Sequence, residues 1–258
     1  MKFIRYKTKT NEEKYGILEE TNLIREITNT PFDDFDTTGV THLVDDVAIL
    51  SPVTPSKIIC VGLNYLSHIK EMGLAIPKSP MLFMKPITTL TDPNKPIIYP
   101  KIGQKVEYEA ELTIVIGKPT RHVSESDALD YVLGYTCGND VSERVFQMQE
   151  MKSGAMLIGK GFDSFCPLGP VIETELDPNN VSVKARLNGK EKQNGNTSDL
   201  LFSASKLIAY ISEAMTLMPG DVILTGTPSG VGPITPGDEI EIEIPEIGIL
   251  KNIVTNEQ

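Results

Sequence analysis

Three carboxylates alternate along one short stretch of the chain: Glu107, Glu109 and Glu111 lead directly into an apolar run that ends at Gly117. Branched apolar residues in such a run are typical of a buried strand. Because residues two apart point to the same face of a strand, the carboxylates are expected on one side, roughly 7 Å apart along the chain. They therefore need solvent, as on a sheet edge, or a cation such as Mg²⁺, which takes hard oxygen ligands.

A second pair of residues combines an imidazole with a carboxylate. His68 and Glu71 are three positions apart in a segment of helical character, where residues at that spacing are neighbours. The carboxylate would orient the imidazole and raise its basicity, which suits a general base. A surface ion pair has the same spacing and is the competing interpretation.

Two further segments place polar groups among apolar ones. Asp140, Arg144 and Gln147 fall at positions i, i+4 and i+7, so they share one face if the segment is helical. Lys160 lies between two glycines, which let backbone approach closely and leave its ammonium group unshielded. The sequence around Lys160 lacks the spacing of a phosphate-binding loop.

The charge balance restricts the class of partner. The chain has 258 residues, and its 24 Lys and Arg against 35 Asp and Glu give a net charge of −11. A surface this acidic argues against nucleic acid or an anionic membrane as the main partner. No apolar run approaches the roughly 18 residues of a membrane-spanning helix.

The N-terminal segment lacks the apolar region of a signal peptide, so a cytoplasmic location is expected. Cys60, Cys137 and Cys166 are far apart and lie among apolar neighbours, which is typical of small core residues in a reducing compartment. With only three histidines, a histidine-rich zinc site is not expected.

Strand and hairpin patterns outnumber helical ones, so the predicted fold class is β-rich α+β. Prolines near residue 52 mark a boundary between a small N-terminal domain, residues 1–52, and a larger catalytic domain, residues 53–258. Predicted helices cover residues 63–72, 124–135 and 203–216. Predicted strands and hairpins lie at residues 2–7, 14–18, 23–27, 57–62, 106–118, 181–193, 222–224, 239–244 and 249–254.

Taken together and in order, several motifs resemble the fumarylacetoacetate hydrolase family, in particular its short cytosolic members that act on 2-oxo acids. The likeness runs from about residue 57 to residue 254 and is loose over the first 50 residues. The matching motifs are VGLNY at 61–65 followed by His68 and Glu71, YEAEL at 108–112, GNDVSER at 138–144 with Gln147, KGFD at 160–163, PLGP at 167–170, PGDVI at 219–223 and TGTPSGVG at 225–232.

This resemblance implies a mixed β-roll fold, a homodimer and one divalent metal ion, Mg²⁺ or Mn²⁺, in each active site. It assigns Glu109, Glu111 and Asp140 as metal ligands and leaves Glu107 as a neighbour. The other roles that it implies are His68, Glu71 and Lys160 as catalytic residues and Arg144, Gln147, Thr227 and Lys85 as substrate contacts. One departure is Met156, which stands where members often carry an aromatic residue.

The expected activity is metal-dependent cleavage of a C–C bond in a small 2-oxo acid of the acylpyruvate or oxaloacetate type, through a metal-stabilised enolate. Isomerisation of a 2-hydroxyhepta-2,4-diene-1,7-dioate is the alternative reaction, because it shares that enolate. A catalytically inactive metal-binding scaffold is the alternative of another class.

Overall fold

Strands dominate the computed structural model, which describes residues 1–258. Strands hold 41% of the residues and helices 17%, which confirms the β-rich α+β prediction. The strands are β1 (Lys2–Lys7), β2 (Glu13–Leu18), β3 (Leu23–Ile27), β4 (Thr37–Leu43), β5 (Ala48–Leu50), β6 (Ile58–Gly62), β7 (Met81–Lys85), β8 (Leu90–Thr91), β9 (Ile97–Tyr99), β10 (Val106–Tyr108), β11 (Ala110–Ile116), β12 (Val132–Asn139), β13 (Ser142–Glu143), β14 (Cys166–Glu173), β15 (Ser182–Leu187), β16 (Lys190–Asn196), β17 (Val222–Leu224), β18 (Gly232–Pro233), β19 (Glu239–Ile244) and β20 (Gly248–Asn256).

Four short helices interrupt the strands, and none is long and apolar enough to cross a membrane. They are α1 (Leu66–Met72), α2 (Arg144–Met151), α3 (Ile158–Gly161) and α4 (Ala204–Ala214). Helix α4 is the predicted amphipathic helix: Leu207, Ile208 and Ile211 are buried on one face. The Ser203 side chain caps its start by accepting a hydrogen bond from the backbone N–H of Lys206.

The largest sheet has the order β4-β3-β2-β1-β14-β12-β11-β17-β6-β7, with β5 paired to β1 and β8 to β14. All seven residues of its central strand β11 are buried, which explains the continuous apolar run there. The N-terminal strands extend this sheet through the antiparallel pairing of β1 with β14. The division into domains at residue 52 stays a prediction, because this sheet is continuous across it.

A second sheet, β16-β15-β19-β20-β9, supplies the opposite side of the core. Strand β19 alternates as its sequence predicts, with Ile240, Ile242 and Ile244 buried, and it pairs with β20. Strands β15 and β16 form the predicted hairpin. Asn188 and Gly189 at its turn both have positive φ angles, 51° and 73°, as this turn type requires.

The predicted helix at residues 124–135 is wrong. Residues Ala128–Tyr131 form one 3₁₀ turn, and strand β12 begins at Val132. Strand β12 pairs with β11 on one side and β14 on the other, so backbone pairing and burial override the local helical preference.

The buried carboxylate of Asp221 joins the segments that precede β6 and β17. It accepts hydrogen bonds from the backbone N–H groups of Ser56 (2.9 Å), Lys57 (3.0 Å) and Met218 (2.7 Å). The Ser56 hydroxyl (2.7 Å) and the Lys57 ammonium group complete the contacts. Asp221 thus ties together the starts of β6 and β17, two parallel neighbours whose far ends lead into the loops of the candidate site.

We predict that Asp221→Asn lowers the free energy of unfolding by about 2 kcal/mol, because a neutral amide cannot replace a buried, charge-assisted acceptor. Urea unfolding followed by circular dichroism measures the change. Asp130→Asn, at an exposed position with no side-chain partner, is the matched control and should be neutral. Equal stability of the two variants would contradict the anchoring role.

Candidate functional site

The predicted strand at residues 106–118 is broken at Glu109. Strand β10 lies in a small sheet with β13 and β18, whereas β11 lies in the large sheet. At the break, the backbone N–H of Glu109 donates to the side-chain oxygen of Asn139 (3.0 Å). Glu107 lies outside the cluster that Glu109 and Glu111 form with Asp140, so the row of three carboxylates expected from the spacing does not act as one group.

Glu107 instead forms ion pairs with Arg144 (Nε, 2.6 Å) and Lys105 (Nζ, 2.7 Å). Arg144 is the first residue of α2, and its Nη2 also reaches Glu109 at 2.7 Å. Glu107 thus acts as a neighbour that holds the guanidinium group, in agreement with the role that the resemblance implies.

Three carboxylates do converge: potential ligand oxygens of Glu109, Glu111 and Asp140 lie within 4.8 Å of one another, and all three residues are buried. Asp140 directly follows β12, whose last residue Asn139 pairs with Ala110 of β11. The backbone N–H of Asp140 donates to the carbonyl oxygen of Glu109 (2.9 Å). Pairing of β11 with β12 therefore brings the carboxylates together.

Two lysines balance part of this charge. The Nζ atom of Lys160 lies 2.8 Å from both Glu109 and Asp140. Lys85 lies 2.5 Å from the other oxygen of Asp140, and its side chain is fully buried. The expectation that flanking glycines leave the Lys160 ammonium group unshielded is wrong, because Lys160 is buried and pairs with both Glu109 and Asp140.

Glu111 differs from its two neighbours. No lysine, arginine or histidine lies within salt-bridge distance of it, and its one hydrogen bond comes from the backbone N–H of Gly226 (2.6 Å). Burial, and then the charges of Asp140 and Glu109, raise the pKa of Glu111 well above its ordinary value. Burial opposes ionisation of Glu109 too, but the charges of Lys160 and Arg144 hold its pKa well below the ordinary value.

This set of donors fits a divalent metal ion. Buried carboxylate oxygens at mutual reach are hard ligands of the kind that Mg²⁺ and Mn²⁺ prefer. The carboxylate of Glu111 has no cationic partner, so its negative charge is the one that such an ion would compensate. Glu109, Glu111 and Asp140 are thus the residues that could hold it.

A histidine–glutamate pair lies at the same cavity. On helix α1, Nδ1 of His68 is 3.1 Å from one carboxylate oxygen of Glu71, and the other oxygen accepts a hydrogen bond from the backbone N–H of Gly230 (3.1 Å). Glu71 is therefore fixed between α1 and the loop after β17. The other two histidines lie elsewhere, His42 on β4 and His122 beside the exposed Glu213.

The cavity has a volume of about 180 Å³ and two contrasting sides. Its polar lining comprises Glu109, Glu111, Asp140, Arg144, Gln147, Lys160, Thr227 and His68. Its apolar lining comprises Val61, Leu63, Met72, Leu74, Met81, Phe83, Met148, Met151 and Met156. Lys85 and Glu71 are the only predicted site residues that do not line the cavity. Lys85 contacts Asp140 and Glu71 contacts His68, and both of these partners line it.

Apart from Met156, the methionines of the apolar lining are residues that the sequence reasoning missed. On α2, Met148 lies four residues after Arg144 and Met151 lies four residues after Gln147. Residues at that spacing share a helix face, so this periodicity could have found them once the polar pair was assigned.

Comparison with known families matches residues 57–255 to the fumarylacetoacetate (FAA) hydrolase C-terminal family and residues 1–52 to the Rv2993c-like N-terminal family. Human mitochondrial oxaloacetate tautomerase FAHD2A is 42% identical over 220 residues, covering 81% of this chain and 70% of the human protein.

Solved structures give full-length matches. That of 5-carboxymethyl-2-hydroxymuconate delta-isomerase from Mycobacterium smegmatis has a TM-score of 0.91 and 41% identity over 100% of both chains. Maleylpyruvate hydrolase from Sphingobium sp. SYK-6, solved with manganese(II) ion and pyruvate, has a TM-score of 0.82 and 30% identity, again over 100% of both chains. One fold thus carries a tautomerase, an isomerase and a hydrolase.

We predict that Glu111→Gln abolishes most of the stabilisation by Mn²⁺ without destabilising the metal-free protein. The substitution removes one carboxylate of the candidate metal site, and that buried carboxylate has no cationic partner. Thermal unfolding in EDTA and in saturating Mn²⁺ measures both effects. Binding at 100 times Kd stabilises a protein by about 2.7 kcal/mol, which is readily seen.

Glu107→Gln is the matched control for this experiment, because Glu107 is also buried but lies outside the triad. It should keep the Mn²⁺-dependent shift and lose stability through its broken ion pair with Arg144. A full Mn²⁺ shift in Glu111→Gln would show that Glu111 is not a ligand.

Proposed function

Because this chain belongs to the fumarylacetoacetate hydrolase family, we propose that it is a divalent-metal-dependent enzyme that cleaves a C–C bond in a small 2-oxo acid. One observation carries the proposal: the acidic triad and His68, which is held by Glu71, line the same small cavity. Such an arrangement supplies an electrophilic site and a base to one substrate.

Glu109, Glu111 and Asp140 are the proposed ligands of Mg²⁺ or Mn²⁺. When bound, the ion supplies Lewis acidity for the carboxylate and keto oxygens of a 2-oxo acid. The manganese(II) and pyruvate in the related maleylpyruvate hydrolase support this assignment.

His68 is the proposed general base. With Nδ1–H donating to Glu71, its Nε2 carries a lone pair and can take a proton from water. The resulting hydroxide adds to the C4 carbonyl of an acylpyruvate, the C3–C4 bond breaks with its electron pair going to C3, and C3 takes up a proton. The products are pyruvate and a carboxylic acid. For oxaloacetate, loss of CO₂ breaks the same bond and needs no nucleophile.

The remaining polar residues are proposed to bind and orient the substrate. Lys160 offsets the negative charge that a substrate carboxylate adds beside Glu109 and Asp140. The side-chain amide of Gln147 donates only to the sulfur of Met156 (3.3 Å), a weak acceptor, so it can turn to a substrate oxygen. Lys85 does not line the cavity; it fixes Asp140 from behind.

A second candidate is proton transfer without bond cleavage, as in a tautomerase or isomerase. The similarity to the human oxaloacetate tautomerase and the mycobacterial isomerase favours it. The same residues would serve, since His68 would move a proton at carbon instead of activating water.

We predict that His68→Ala lowers kcat for acetylpyruvate by about 10²–10⁴-fold, because the general base is lost, while Mn²⁺ binding is kept. Glu71→Gln should give a smaller loss, since it only weakens the orientation of His68. His122→Ala is the matched control, because His122 pairs with Glu213 at an exposed position away from the cavity. Unchanged kcat in His68→Ala would rule His68 out as the base.

Steady-state assays with Mg²⁺ distinguish the reactions. Acetylpyruvate, oxaloacetate and a 2-hydroxy-dienedioate are offered separately, and pyruvate release is measured against isomerisation followed by absorbance. We expect pyruvate from the first two, and its absence with isomerisation intact would support the second candidate. EDTA should abolish turnover, whereas a scaffold would lose only thermal stability.

A further inference from the structure

One side of the cavity continues outward as an apolar groove. Met81, Phe83, Met151 and Met156 line both spaces. The outer groove has a volume of about 410 Å³ and contains no titratable side chain. It is lined by Met81, Leu82, Phe83, Met84, Met151, Gly154, Ala155, Met156 and Leu157.

Phe83, which lines both the cavity and the groove, lies next to a lysine that contacts the acidic triad. Nζ of Lys160, which lies 2.8 Å from Glu109 and from Asp140, is 5.1 Å from the ring centre of Phe83. The chain of a ligand whose head is held at the triad would extend along Phe83 and Met156, which line both spaces. Methionine side chains adapt to ligands of varied shape, which suits a wall of this kind.

The cations of the cavity are already engaged. Lys160 contacts two carboxylates, and the guanidinium of Arg144 donates to Glu107, Glu109 and the side-chain oxygen of Gln147. A substrate carboxylate at the triad can be compensated by the metal ion, but one at the far end of the molecule would meet no free cation in the outer groove.

The depression on the other side of His68 is no better suited to a second carboxylate. It is lined by two cations, Lys105 and Arg144, but Lys105 is 2.7 Å from Glu107 and Arg144 is paired with Glu107 and Glu109. Glu71 also lines the space, so the carboxylates of Glu71 and Glu107 offset the two positive charges that an anion would need. This depression therefore offers no free cation for a terminal carboxylate of the substrate.

Resting on the proposed function, we propose that the substrate is a 2-oxo acid with an uncharged apolar chain at its far end, and that this chain lies in the outer groove. This excludes a terminal second carboxylate as the preferred group. It also makes an acylpyruvate with an apolar acyl chain a better substrate than oxaloacetate, which should be turned over more slowly.

Binding of uncleavable 2-oxo acids tests the inference independently of turnover. Calorimetry in Mn²⁺ compares 2-oxobutanoate, 2-oxohexanoate and 2-oxooctanoate with 2-oxooctanedioate, which differs from the last only in its terminal carboxylate. We expect affinity to rise about fourfold per added methylene, the equivalent of ~0.8 kcal/mol per buried CH₂. The diacid should bind at least tenfold more weakly than 2-oxooctanoate.

A flat dependence on chain length, or tighter binding of the diacid, would overturn the inference and leave the proposed function intact. Failure of every 2-oxo acid to bind would overturn the head-group assignment, and with it both proposals. If Lys105 instead binds the terminal carboxylate, Lys105→Met will selectively weaken the binding of 2-oxooctanedioate. That result would also contradict the placement of the chain in the outer groove.

Met151→Lys supplies the missing cation on the shared wall, at a position that is 37% exposed on α2 and tolerates a lysine. It should reverse the preference between 2-oxooctanoate and the diacid. Met218→Lys, at an exposed methionine (43%) outside these cavities, is the matched control and should change neither. An unchanged preference in Met151→Lys would refute the placement of the chain.

Coverage of the outer groove by a second copy of the chain is the competing explanation. Met84 lines only the outer groove and is 44% exposed. Met84→Lys should flatten the chain-length dependence beyond the first methylenes and leave the molar mass from light scattering unchanged. A fall in molar mass with chain-length dependence intact would show that the groove is an interface instead.

Discussion

Repulsion among the buried carboxylates of Glu109, Glu111 and Asp140 is the constraint on which the rest of the site depends. Three like charges at this separation are tolerated in a protein interior only when positive charge surrounds them. The chain supplies it from three separate segments: Lys85 at the end of β7, Arg144 at the start of α2 and Lys160 in α3. Glu111 is left without a cationic partner, which makes a divalent ion the natural complement of the set.

The break between β10 and β11 follows from the same constraint. A continuous strand would place Glu107, Glu109 and Glu111 in one row on one face. Passing from one sheet to another at Glu109 lets Glu107 pair with Arg144 while the other two carboxylates face Asp140. The side-chain oxygen of Asn139 satisfies the backbone N–H freed by the break.

The sequence patterns correctly predicted those elements that depend on interactions between residues close together in the chain. The alternation of β19, the Asn188-Gly189 turn and the apolar face of α4 all follow from neighbours in sequence. Strand β12 was missed because its partners, β11 and β14, are remote in sequence and outweigh a local helical preference. Spacing alone suggested Glu107, Glu109 and Glu111 together. The resemblance selected Glu109 and Glu111 and added Asp140, which only strand pairing brings near them.

Lys160 forms ion pairs with both Glu109 and Asp140, and this affects whether the chain can fold before a divalent ion binds. Small domains whose ligand charges are balanced by the metal alone are unfolded until it binds. Here the polypeptide neutralises two of the three charges itself, and a core cluster of 36 buried residues holds the sheets together. A newly synthesised chain can thus reach its native shape first and acquire the proposed divalent ion afterwards. A shortage of that ion would then lower the fraction of active molecules but not the fraction of folded ones.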